Sequence, residues 1–439
     1  MKTKLGVNNV KLFYNFLSKI SPKGWAQPIL ISNFLKKRKE EKAKPMKLHI
    51  FNPENDLALA DGGANYCPTP AATQIANNLA SLPLWFADIN DKVLLLDSTH
   101  HEYHKRISSL FPVASPYDNN MCNDITSCTP WGWSAQIKRR LGVMGFNAIL
   151  PSDKNIKSIR EISNRQSSIK ILTALRNSGI ETPALPIYHT NADDVASFIN
   201  NRPRCVIKAP WSGSGKGIAW GIGRVEPPME NFYKGVIRRQ GGVVCEEFLN
   251  AKIEFAMEFF ADGNKVTFAG YSLFKSFKGS YSGNVLASNE EIETFLSKFI
   301  PNEELYKLKI ILPEILQSLL HESGYTGYFG IDMMVYESGG KLRLNPCMEL
   351  NLRMNMGMTA RLFFDRYVAK ERTGEFQVCF FKKKGEAYIS HLTNKEKFPL
   401  ETENGKITNG YIELSPITEE SRYSVSATIY KEKKIEDMY

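Results

Sequence analysis

The chain has 439 residues, 43% of them hydrophobic and 23% charged, enough to bury the cores of two to four domains. No apolar run is long enough to span a bilayer, and seven scattered cysteines without a C-x-x-C pair argue against a disulfide-built scaffold and fit reduced thiols in a cytoplasmic protein. The formal net charge of +10 suggests nucleic acid until it is located: residues 1–45 hold eleven Lys/Arg against two acidic residues, a surplus of nine, which leaves about +1 for the remainder.

That basic segment reads as an arm for an anionic surface, a helical extension, or sequence upstream of a start at Met46. We favour the last, because Met46-Lys-Leu-His-Ile-Phe opens as a βα domain would. The strand KLHIF is followed by NPENDLALADGG, at the carboxyl end where open α/β sheets bind ligands. Asn52, Glu54, Asn55 and Asp56 lie there, and a helix N-cap with first-turn acids would explain one or two of them without a ligand. KVLLLD, 92–97, is a second strand. His100 and His104 are four apart but lack a third ligand, so a solvated helix face is expected. TPWGWSAQIKRRLGVMGF, 129–146, reads as an amphipathic helix starting at Thr129-Pro130, with Trp131 and Trp133 in the core. Only Lys138, Arg139 and Arg140 cluster there, so a nucleic-acid surface is not expected. Residues 163–188 give a helix ended by Gly179 and then an extended segment.

The most informative stretch is CVIKAPWSGSGKG, 205–217. A β-branched run ends in Lys208, and a loop of small residues (Ser212, Gly213, Ser214, Gly215) returns a second lysine, Lys216, before Gly217. A strand-end ammonium and glycines that let backbone N–H groups close over an anion outline a polyphosphate grip. A Walker loop is excluded, since Gly217 stands where the hydroxyl residue should be and Pro210 where the first glycine should be. A dinucleotide fingerprint is excluded by the missing third glycine. About 120–140 residues on, YFGIDMMVY supplies Asp332 and CMELNLR supplies Glu349 and Asn351, hard oxygen donors suited to magnesium. Glu349 and Asn351 are two apart and share one face of an extended chain. Between these halves, YSLFKSFKGSYSGNVLAS, 271–288, places Lys275, Lys278, Tyr281, Ser282 and Asn284 among glycines and serines, a composition read as a mobile lid.

Taken together, these elements resemble the ATP-grasp superfamily over roughly residues 165–365. VIKAP with WSGSGKGI resembles its strand lysine and glycine loop. VVCEEFLNAKIEF resembles its adenine strand and hinge, with Glu247 opening the hinge, Phe248, Leu249 and Asn250 offering backbone groups to the base, and Glu254 placed for the ribose hydroxyls. GYFGIDMMV and MELNLR resemble its two metal strands, and Glu349-x-Asn351-x-Arg353 its E-x-N-x-R form. Near the start of the 163–188 helix, Arg165 and Lys170 both compete to reach the phosphates.

The resemblance implies a multi-domain α/β (α+β) fold: a basic extension (1–45), an N-terminal open α/β domain (46–162), a two-subdomain ATP-grasp module (163–240 and 241–365, the latter with the metal site), and a small β-rich C-terminal appendage (366–439). YISHL and RYSVSATIY are the strands expected in the appendage, to which a packing or homodimer role would fall. The implied activity is that of an ATP-dependent carboxylate-amine ligase working through an acyl phosphate. It would use ATP with one or two Mg2+ ions, which Mn2+ could replace, on Asp332, Glu349 and Asn351. Asn52, Glu54, Asn55, Asp56, Tyr281, Ser282 and Asn284 would hold a small-molecule or peptide carboxylate and an amine. Lys275 or Lys278 would supply charge to the acyl phosphate, and Arg353 would hold phosphate or a carboxylate bidentately or pair with Asp332. The alternatives are an ATP-binding sensor or scaffold and an ATP-grasp phosphotransferase.

Overall fold

The first strand, β1 (Met46–Ile50), lies between β2 (Lys92–Val93) and β4 (Ile125–Pro130), with β3 (Ser115–Pro116) outside β2, and the described pairings are all parallel. The computed structural model describes residues 45–439 apart from 214–216 and 278–279, and Met46–Tyr439 forms one unit. The basic segment, and with it the choice of start, lies outside the described residues. Thr129 and Pro130 end β4 instead of opening a helix; the helix begins at Ala135, where Ser134 accepts from the backbone N–H of Ile137. The Thr-Pro start signal was outweighed by parallel pairing of residues 125–130 with β1. Trp131 and Trp133 are buried in the core, and His100 is buried against the carbonyl of Asn77 at 2.7 Å.

A second, antiparallel sheet contains β5 (Ile187–His189), β6 (Cys205–Lys208), β7 (Ile218–Gly221) and β8 (Val243–Glu247) in the order β5-β8-β6-β7. Alternation sets its faces. Cys205, Ile207, Val243 and Cys245 pack on helices Ala192–Asn200 and Pro227–Gln240 through Val195, Phe198, Ile199, Tyr233 and Val236. Val206, Lys208, Val244, Glu246, Ile218 and Trp220 face the other way.

The remaining strands, β9 (Asn250–Ala261), β10 (Val266–Phe277), β11 (Ser280–Leu286), β12 (Gly327–Ser338), β13 (Lys341–Asn351), β14 (Thr373–Phe380), β15 (Glu401–Glu403), β16 (Lys406–Glu413) and β17 (Tyr423–Tyr430), form one nine-stranded sheet in the order β13-β12-β9-β10-β11-β14-β17-β16-β15. Helix Asn302–Leu320 buries Leu305, Leu308, Leu312, Leu316 and Leu320, one stripe at helical spacing, in the core that also holds Phe255, Met257, Leu273, Val285 and Ile331. Helix Met356–Tyr367 packs with Leu286 and Phe376 in a second core.

This sheet corrects two sequence expectations. Residues 271–277 and 280–286, read as part of a mobile lid, are instead the end of β10 and the whole of β11, paired in the middle of the sheet. Their polar composition is satisfied internally, with Asn284 donating to Ser272 Oγ at 2.5 Å and Ser282 Oγ to the Lys275 carbonyl at 3.0 Å. Residues 366–439 contribute β14–β17 to the same sheet, so the boundary read at 366 falls within one layer. There YISHL is helical, inside Glu386–Lys397, with Ala387 and His391 turned inward four apart. RYSVSATIY is strand β17.

Candidate functional site

At the carboxyl end of β6, Lys208 is 5% exposed and its Nζ lies 2.6 Å from Glu246 Oε2 on β8. Register explains the pair: Val206 opposes Glu246, so both charged side chains emerge on the face turned away from the helices. Beyond Lys208 the chain loops out and returns, the Ala209 N–H donating to the Gly217 carbonyl at 2.8 Å. Gly217 is required by crowding, since a Cβ would run into Ser212. Ser214, Gly215 and Lys216 lie outside the described residues.

Arg165 ties this loop to Glu349 on β13. Its guanidinium donates to the Ala209 carbonyl at 2.7 Å, to Ser212 Oγ at 2.5 Å and to Glu349 Oε2 at 2.9 Å. Lys170, its rival in the sequence, is exposed and borders a separate groove with Glu161, Lys265 and Glu314. Five residues, about 1.4 helical turns, separate the two, which turns them about 140° apart around the helix.

Asp332 on β12 directly opposes Glu349 on β13, and Gly330 opposes Asn351, so the three donors share one face. Burial, then the Glu349 charge, pushes the Asp332 carboxyl up to about 7. Two carboxylates facing each other repel unless a proton or a cation intervenes. Cys347, buried where the β12–β13 register shifts, is raised by that burial and by the nearby Asp332 and Glu246 charges.

Arg353 completes the cleft from the segment after β13. Its Nε and Nη2 donate to the two carboxylate oxygens of Asp56 at 2.8 and 2.7 Å, and Nη2 reaches Asn351 Oδ1 at 3.2 Å. Asp56, in the first turn of helix Asn55–Asp61 after β1, is therefore joined to Arg353 just beyond β13, 297 residues away. It also abuts the loop after β6, where a Cβ on Gly213 would lie 2.7 Å from its carboxylate.

Other candidates are placed differently from expectation. Asn52 is fully buried and bonded through its amide to the backbone of Gly132 at 2.9 and 3.3 Å, and Asn55 packs on the same glycine, so both brace the β4 loop instead of offering groups to an acceptor. Glu54 is buried, its carboxyl raised by that burial against the opposing pull of Arg140, and Oε2 has no partner among the described residues. Glu247 is exposed, 3.9 Å from Arg202. Phe248 lies under the Arg204 guanidinium at 3.5 Å, Leu249 is half-buried, and Asn250 is exposed at the start of β9. Glu254 lies opposite Met334 on the Asp332 face, half-buried. Lys275 faces away from Asp332, with Leu273 and Val285, and pairs with Glu375 at 3.0 Å. Lys278 lies outside the described residues. Tyr281 donates to Asn284, which is buried beside Ser272 on the sheet face that carries Asp332, so both are held by neighbours within the sheet.

Two acids on the inner faces of these sheets, Glu246 and Glu258, were not singled out from the sequence. Glu246 was hidden beside Glu247 and becomes legible only when its alternation is matched to Lys208. Glu258, 1% exposed on β9, accepts from Asn355 at 2.8 Å in a socket left by Gly330 and Gly357, where a Cβ would lie 2.5 and 2.7 Å from its oxygens. Burial pushes its carboxyl up to about 8.

No family model and no curated protein matches this sequence. Solved structures similar to it include N5-carboxyaminoimidazole synthetase from Staphylococcus aureus complexed with ADP, 12% identical, covering 88% of this chain and 94% of that one with a TM-score of 0.46. Biotin carboxylase from Campylobacter jejuni in a nucleotide complex is 10% identical, covering 88% of each chain with a TM-score of 0.45. N5-carboxyaminoimidazole ribonucleotide synthetase from Thermus thermophilus is 12% identical, covering 88% and 94%, with a TM-score of 0.43. The likeness is distant. No described helix is long and apolar enough to cross a membrane.

Proposed function

We propose that this chain is an ATP- and Mg2+-dependent ligase of the ATP-grasp type, joining a carboxylate to an amine through an acyl phosphate and releasing ADP and phosphate. One observation carries the reading: Lys208, Arg165 and Arg353 converge with Asp332, Glu349 and Asn351 in a cleft built from segments scattered between residues 165 and 353. The nucleotide would lie between two jaws, the small sheet β5–β8, which includes Val243–Glu247 and so runs past the boundary read at 240, and the strands β9, β12 and β13.

The donor set fits magnesium. Two carboxylates and an amide oxygen share a face, and among the described residues no group of three or more His, Cys, Asp or Glu side chains is poised to cage a metal by protein alone. Magnesium keeps waters and phosphate oxygens in its shell, so a small protein contribution suits it. Bound on Asp332, Glu349 and Asn351, it would supply charge neutralisation at the transferred phosphoryl group.

The chain's own residues would do the rest. Lys208 would present a fixed ammonium to the phosphates, beside the backbone of Ser212, Gly213 and Gly217. Arg165 holds Glu349 and Ser212 in mutual register, so metal ligand and phosphate loop are positioned by a single guanidinium. Arg353 spends its planar fork on Asp56 and reaches Asn351 with Nη2, so it would position the metal donor Asn351 from the N-terminal domain rather than grip the acceptor itself. The amine then attacks the acyl carbon, a C–N bond forms, the C–O bond to phosphate breaks, and the amine proton is released. Transfer of this kind needs positioning and exclusion of water more than a protein nucleophile.

The test is ADP release with MgATP across a panel of amino acids, dipeptides and small carboxylates with amines, wild type against Glu349→Ala. Turnover that requires both acid and amine and falls by roughly a thousandfold or more in the variant is expected. A phosphorylated acceptor with no amide would point to a phosphotransferase, and turnover untouched by the substitution would sink the reading.

A further inference from the structure

Four tryptophans of this chain are core residues: Trp85, Trp131, Trp133 and Trp211 are 0, 6, 7 and 9% exposed. Trp220 is 53% exposed. Register fixes the direction in which it stands. Trp220 opposes Val206, and Val206 opposes Glu246, so the indole shares the sheet face that carries Lys208 and Glu246. The other face is sealed by helices. Three strands thus present, at one level, Trp220 on the outer strand β7, half-buried Val206 in the middle and Glu246 on β8, where the chain turns into residues 247–250. Two strand spacings separate Trp220 from Glu246, about 10 Å, which leaves a bay with an apolar floor just beyond the strand-end lysine. Ile218, opposite Lys208 on the same face, continues the apolar strip toward the phosphate loop.

A planar, weakly hydrated ring system is what such a bay takes. We propose that Trp220 is a specificity-determining residue that closes over the face of a purine base resting on Val206, favouring purine over pyrimidine nucleotides. The assignment rests on the nucleotide-binding reading above. Stacking on an aromatic side chain is worth about 1–3 kcal/mol per base by alanine substitution, and a bicyclic base offers more face than a monocyclic one. An exposed edge-strand indole with no such ligand would leave a large apolar surface in water beside a charged grip.

The experiment uses the full chain as wild type, W220A and W220F, with MgATP, MgUTP and magnesium tripolyphosphate as probes, read by calorimetry and by tryptophan emission. W220A should weaken MgATP by roughly ten- to a hundredfold while leaving tripolyphosphate unchanged. W220F should recover most of the loss, and MgUTP should bind more weakly than MgATP and respond less to W220A. MgATP should quench wild-type emission, with most of that change absent in W220F. Equal MgATP affinity in wild type and W220A overturns the assignment, as does an equal loss for tripolyphosphate, which would place the indole's effect on the phosphate loop. If wild type bound neither MgATP nor tripolyphosphate, the nucleotide reading itself would fall, and the assignment with it.

Discussion

Two charge clusters stand on opposite faces of one sheet and are built on different logic. On the cleft side, the acids Asp332, Glu349 and Glu258 share a face of β9, β12 and β13, and the cations answering them come from elsewhere: Arg165 from a helix start, Arg353 from a loop. On the far side, Glu375 accepts from Lys275, Tyr430 and Lys433 at 3.0, 2.9 and 3.2 Å. Burial works against ionisation of Glu375, and the bonds from Lys275 and Tyr430 outweigh it and hold the carboxyl below its usual range. The far cluster is closed upon itself. The cleft keeps two facing carboxylates short of positive charge, which is the condition that favours a cation. A lysine in a suggestive stretch of sequence therefore counts for little until the strand's alternation says which face it is on.

The sharpest way to break the comparison is to remove one lysine from each side. Lys208→Met takes a buried ammonium from the phosphate grip and should cut ATP-dependent turnover by roughly a hundred- to a thousandfold. A loss of tenfold or less, in a variant that still melts cooperatively, would take Lys208 out of the machinery.

Glu258 sharpens the same contrast through pH. Its folded-state value of about 8 lies above the ordinary 4.5, so the folded protein binds a proton that the unfolded chain releases. Stability from this group is full below about pH 4.5 and is lost as pH rises through about 8. Glu258→Gln keeps an acceptor for Asn355 without a charge. Relative to wild type, it should gain stability steadily from pH 5 to pH 8, by up to roughly 3–5 kcal/mol, in denaturant melts with EDTA present. A wild-type-minus-variant difference that is flat in pH would show Glu258 ionised in the fold.

The smallest effect belongs to the far side. Lys275→Met should leave kcat/KM within about twofold and cost no more than about 1 kcal/mol, because the pair is partly exposed and Tyr430 and Lys433 still serve Glu375. Activity lost as severely as in Lys208→Met would return residues 271–288 to the catalytic role their composition suggested.

Much of the cleft was legible in the chain because its parts are local. Lys208 follows a β-branched run, the glycines follow Lys208, and Glu349 and Asn351 are two apart on a strand, so each fragment declares its chemistry within a dozen residues. Asn52 and Asn55 were misread for the complementary reason: a polar cluster after a strand looks the same whether it meets a ligand or the backbone of Gly132, 77–80 residues away. Composition failed at 271–288 because serine and asparagine count as loop residues only until they find each other across paired strands.

The sequence alone determined the mixed α/β class and the local spacings that put Lys208 before a glycine loop and Glu349 two residues from Asn351, since these rest on short spacings and residue chemistry. Only the tertiary structure chose Arg165 over Lys170, turned Lys275 away from the cleft, joined Asp56 to Arg353 and spread the last seventy residues into the central sheet. Each of these depends on strand register or on contacts between residues dozens to hundreds of positions apart. Local propensity carries no information about them, because long-range pairing is decided by what the whole chain can bury at once.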